Sequence, residues 1–143
     1  MNKLLQFDDD DRKLWIGILG ISAIGIIILT VFSGASFFEF LARFAITIFI
    51  MFLPGYSIYK LFFNNLKLSD YPIIDRFLAS LFFSIASVQT LYFLTTYLRT
   101  YGFNVDEDVI SSDKIAVALA VLVTAAAFGI KYYLNKKNEA KSQ

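Results

Sequence analysis

The sequence predicts an all-α fold, a four-span transmembrane helix bundle whose second span is kinked at a proline. Three observations carry this reading. Of 143 residues, 57% are apolar and 17% aromatic, with a mean hydropathy of +0.62, too apolar for an ordinary water-soluble domain. The apolar residues fall into four runs, about 14–32, 40–63, 73–98 and 115–134, between polar tails 1–13 and 135–143. Inside the second run stands Phe52-Leu53-Pro54-Gly55-Tyr56. Pro54 has no N–H and its ring strikes the carbonyl four residues back, so the helix must bend near Ile50. In a bilayer, neighbouring spans can satisfy the freed carbonyl.

The leading segment carries Lys3, the run Asp8-Asp9-Asp10-Asp11, then Arg12 and Lys13. It reads as a solvated cytoplasmic tail. Consecutive carboxylates with no glycine turn do not converge on one ion as spaced calcium ligands do.

Leu14 to Phe32 is the first span, 19 residues without a charge, about 28 Å of helix. Trp15 stands where an indole favours the interface. The run is longer than a signal-peptide core and follows an acidic segment, so a retained span is expected rather than a cleaved leader. Gly17, Gly20 and Ala23 form a small-residue stripe where another helix can approach. Ser33 to Ser36 is a tight connector, making spans one and two antiparallel neighbours.

Glu39 and Arg43 stand four apart with the acid first, the favoured order for a helical ion pair, at the outer interface. The second span then runs to Phe63. The alternative is a stop near Leu53, with Tyr56 to Leu68 lying along the membrane surface. The kinked span is preferred because Phe40 to Leu53 is short for a bilayer.

Pro72 suits a first helical position, with Ser69 to Tyr71 around the cap. Asp75 in the first turn complements the positive helix end, and Arg76 lies beside it at the membrane surface. Ser80, Ser84 and Ser87 share a face of the third span that should turn inward. Gln89 is the strongly polar side chain near mid-membrane; it is expected to bond the carbonyl freed by Pro54 or a hydroxyl on a neighbouring span. The following loop holds Asp106-Glu107-Asp108 without a calcium-loop pattern. Ser111, Ser112 and Asp113 can cap the fourth span. There Ala116, Ala120 and Thr124, and also Ala125 and Gly129, repeat every four residues as close-contact rows.

Of the Lys and Arg residues, ten lie on the side of the two tails and the second loop, against three (Arg43, Arg99 and Lys114) on the other. The positive-inside rule therefore places both termini in the cytoplasm of a multi-pass plasma-membrane protein.

Arg43, the Phe52-Leu53-Pro54-Gly55-Tyr56 element, Leu61-Phe62-Phe63, a short polar loop, Asp75-Arg76 and Ser80 through Ser84 occur in an order that resembles the archaeal membrane family catalogued as domain of unknown function 1616. The likeness covers about Leu41 to Leu98 well and the fourth span loosely. Asn64 stands where that family commonly has Pro, and Asp75 where Glu is usual. The resemblance implies fold and membrane location, and no established activity. Similar Pro-Gly and Glu-Arg elements occur in some large multi-span glycosyltransferases that use polyprenyl-linked sugars. Those enzymes carry a catalytic acid in a large first outer loop. Here that loop is four residues and the nearest acid is Glu39.

The absence of Cys and His removes thiol chemistry, imidazole catalysis and the usual zinc ligands. No cofactor, metal or catalytic constellation is expected, and the net charge of +1 gives no field for nucleic acid. The composition fits a non-catalytic structural or accessory subunit of a membrane complex, whose partners are the bilayer and either other transmembrane subunits or further copies of itself. Two alternatives stay open. One is a helper that binds lipid-linked sugars or an anionic lipid headgroup at the cytoplasmic face, through Asp75, Arg76, Lys60 and Lys67. The other is an oligomeric channel or carrier with Ser80, Ser84 and Ser87 on its axis.

Overall fold

The computed structural model describes residues 7–34, 36–64, 66, 69–102 and 112–141. The acidic group Asp106-Glu107-Asp108, Ser111 and Lys67 lie outside the described residues. Four helical stretches are long and apolar enough to cross a membrane: Asp9–Ser33, Phe37–Phe62, Pro72–Gly102 and Asp113–Lys137.

Helix α1 spans Asp9–Ser33 and starts five residues before Leu14. Asp8 is the reason. It caps the helix, accepting from the Asp11 amide at 3.0 Å, while the Asp11 carboxylate accepts from the Asp8 amide at 3.1 Å. This reciprocal box satisfies two otherwise orphaned donors. Gly34 ends the helix in the left-handed region, φ 67°, where a residue with a Cβ is strained. Thr30 and Ser33 donate their hydroxyls to the carbonyls of Ile26 and Leu29, which hides both from hydrocarbon.

The second span kinks and continues. Helix α2, Phe37–Met51, meets α3, Leu53–Phe62, at Phe52, whose φ of −120° departs from helical values. Backbone bonds still cross the joint, from the Phe52 amide to Ile48 and from the Tyr56 amide to Phe52. Helix α3 does not lie on the surface. Seven of its ten residues are buried, and it packs chiefly against α4, Pro72–Ser84, and α6, Ser112–Lys141.

Close packing of α3 on α4 rests on Gly55. A Cβ there would lie 2.9 Å from the Ser80 carbonyl carbon and would overlap the Ser80 oxygen and the Ser84 amide nitrogen. Only glycine allows two backbones this close. Ser80 and Ser84 face inward as expected, 0% and 1% exposed. Immediately after Ser84 the span passes through a π-helical turn, Ile85–Gln89, then α5, Thr90–Tyr97, and a second π-helical turn, Leu98–Gly102.

Gln89 does not meet the carbonyl freed by Pro54; it is exposed. Ser84 makes that bond instead, its hydroxyl donating to the Ile50 carbonyl at 2.9 Å. Gln89 borders the same small cavity as Ile50 and Ser84, yet the shorter Ser84 side chain, buried where Gly55 brings α3 against α4, is the one that reaches the carbonyl.

The small-residue rows divide. Ala120 is fully buried, in a cluster with Val88 and Val123. Gly17, Gly20 and Gly129, however, meet nothing within 4 Å of where a Cβ would stand, and Ala125 is exposed. Spacing shows that a face is flat; only the chain path decides which flat face meets a neighbour. Large apolar side chains cover much of the exterior, Ile21 at 75% and Phe32 at 86% exposure among them. That suits a hydrocarbon solvent.

Candidate functional site

Four charged side chains meet at one end of the bundle. They come from the first turn of α1 (Asp11 and its cap Asp8), the last turns of α3 (Lys60) and the first turns of α4 (Arg76). Alternating chain direction brings these three ends together, and α6 joins them, with Lys131 lying 5.7 Å from the Phe62 ring centroid.

Arg76 is the bridge. Its Nη1 donates to Asp11 Oδ1 at 2.7 Å and also to Asp8 Oδ1, while Nη2 donates to Asp8 Oδ2 at 3.0 Å. The planar guanidinium suits such a fork. Lys60 Nζ donates to the other Asp11 oxygen and lies 3.5 Å from Asp8. Asp10 stands 3.5 Å from Arg76. Asp11 is fully buried, and Lys60 and Arg76 are each 8% exposed. The Arg76 hydrogen bond is the main reason the Asp8 carboxyl is held well below the ordinary carboxylate range, with the Asp11 amide, the Arg76 charge and Lys60 adding to it and partial burial opposing.

The expectation of a solvated acidic tail is therefore corrected. Asp8 and Asp11 are three apart, so once the helix begins at Asp9 they share a face. That face turns toward two cations which the low dielectric would otherwise leave uncompensated. The signal was present as Asp-x-x-Asp ahead of an apolar run. Lys60, a lysine inside an otherwise apolar run, was the second clue.

Next to the cluster, Asp75 is buried and accepts from the Ser69 amide at 2.9 Å and hydroxyl at 2.7 Å. It ties the preceding loop to α4, complementing the helix end as expected. An aromatic group lies one layer deeper. The Trp15 ring stands edge-on to Phe52 at 5.3 Å and to Tyr56 at 5.5 Å. Leu14 shares this buried cluster.

Of the residues singled out in the sequence, Pro54, Gly55 and Tyr56 lie at the centre of the bundle. Asp75 and Arg76 lie at its charged end, and Gln89, though exposed, borders a small cavity with Ile50 and Ser84. Glu39 and Arg43 form their 2.6 Å pair on the exposed surface of α2.

Two consequences follow. Arg76 and Lys60 are already neutralised within the chain, so they do not form an open phosphate site. Ser80 and Ser84 are buried inside one chain, so they cannot line an oligomer axis unless the bundle opens. Among the described residues no three His, Cys, Asp or Glu side chains converge as a metal site. No protein-family model, curated protein or solved structure matches the chain.

Proposed function

We propose that this small integral membrane protein is a non-catalytic accessory subunit of a membrane complex. The observation that carries the reading is how its polar groups are used. The buried charges engage each other, Ser84 serves the kink, and large apolar side chains cover much of the exterior. The row Ala125–Gly129 on α6 supports a helical partner. It is exposed and flat, and such a row lets a second helix come close. The excess of Lys and Arg beside the charged end supports placing that end, with both termini, in the cytoplasm of the plasma membrane. The Leu53-Pro54-Gly55-Tyr56 and Asp75-Arg76 elements support a likeness to family 1616.

The test is native mass spectrometry of the chain extracted from its own membranes. A discrete complex of fixed stoichiometry with at least one other transmembrane chain is expected, weakened by Gly129→Leu. A lone monomer in every mild detergent would overturn the reading.

A further inference from the structure

An open groove of about 230 Å³ lies between α1 and α4. The geometry points to a bound anionic phospholipid here, one acyl chain in the groove and its headgroup on Lys13. The walls are Ile21 on α1 and Ile73, Ile74 and Phe77 on α4; Gly17 forms the floor and Lys13 the mouth.

Three features select this occupant. At Gly17 the groove is open: the residue carries no side chain, and nothing lies within 4 Å of where its Cβ would stand. Its volume falls below the roughly 300–1,000 Å³ typical of a compact ligand, and it is elongated. Lys13 to Ile21 is eight residues, about 12 Å along the helix. A flexible hydrocarbon chain fits that shape, whereas a partner helix about 10 Å across does not. The walls are otherwise hydrocarbon, within stretches long enough to span a membrane.

Charge supplies the third feature. Lys13 is exposed, and among the described residues it makes no ion pair, whereas Lys60 and Arg76 are both engaged. It stands at the membrane-surface end of the groove, where the headgroup of a lipid lying in that groove must sit. A lysine near such a surface favours an anionic over a zwitterionic lipid by about fivefold.

The full chain is reconstituted in nanodiscs of equimolar phosphatidylcholine and phosphatidylglycerol, released into mild detergent, and weighed by native mass spectrometry. Wild type is expected to retain one lipid per chain, phosphatidylglycerol about fivefold over phosphatidylcholine. Lys13→Gln should keep the lipid and lose the preference. Gly17→Leu, whose Cβ meets no neighbour and whose branched end would occupy the groove, should lose the lipid altogether. Circular dichroism of both variants checks folding, and Lys13→Gln decides the matter alone if Gly17→Leu does not fold. The proposal is overturned if wild type retains no lipid or both lipids equally, if Lys13→Gln keeps the preference, if a folded Gly17→Leu retains as much lipid as wild type, or if wild type runs as a lipid-free dimer that Gly17→Leu dissociates, which would give the groove to a second copy.

Discussion

The Ser84 hydroxyl donates to the Ile50 carbonyl at 2.9 Å across 34 residues of sequence. That carbonyl is the one Pro54 leaves without its helical donor. A bent span in hydrocarbon thus has its missing bond replaced by a side chain on the adjacent helix, in the place where Gly55 lets the two backbones touch. Ser84→Ala should therefore lower stability by about 1 kcal/mol in reversible unfolding from mixed micelles. Gln89→Leu should change it by less than about 0.5 kcal/mol.

Glycine substitutions should separate sharply. Gly55→Ala drives a Cβ into the α4 backbone, which cannot swing aside as a side chain can. A loss at or above the usual overpacking range of about 1–3 kcal/mol is expected. Gly20→Ala meets open space and should raise stability by about 0.5–1 kcal/mol through helix propensity. Thermal melts of the two variants in one detergent compare them directly.

Arg76→Lys should behave as a disruptive change although charge is kept. The fork on Asp8 and Asp11 cannot be reproduced by a single ammonium group. A loss of about 1–3 kcal/mol is expected, together with greater exposure of Trp15 to an aqueous quencher. The chain has one Trp, so its emission reports the α1 contact alone.

Acid should act on the cap. The folded Asp8 carboxyl lies below its unfolded value of about 3.9, so its contribution is complete above that value and is lost as pH falls toward the folded one. Trp15 emission should stay flat from pH 8 to about pH 5 and change below about pH 4. Asp8→Asn should reduce that acid-side change. An equal change in that variant would assign it to other carboxylates.

Much of this architecture was legible in the sequence because membrane helices announce themselves by length and hydropathy. Pro54 marked the bend, Pro72 the start of the third span, and Ser80 and Ser84 the inward face. What stayed hidden depended on tertiary pairing. Four adjacent aspartates look like a soluble tail until the helix start fixes their phase, and Lys60 has no visible counter-charge within its own span. Gln89 and Ser84 both border the bend, and only the packing at Gly55 decides which of them bonds Ile50. The flat rows of Gly17 and Gly20 on α1 and of Ala125 and Gly129 on α6 were readable as rows, but not as outward-facing.

The buried contact between Asp11 and Lys60 ties α1 to α3, and a double-mutant cycle measures it. Asp11→Asn, Lys60→Met and the pair are unfolded reversibly in the same micelles. Lys60→Met leaves Asp11 with Arg76 as its remaining cation, and Asp11→Asn leaves Lys60 with the more distant Asp8. Each should cost about 1–3 kcal/mol, while the double variant should recover at least about 1 kcal/mol of their sum. Single costs below about 0.5 kcal/mol that simply add would mean that α1 begins in a solvated tail and that no ionic clamp joins it to α3 and α4.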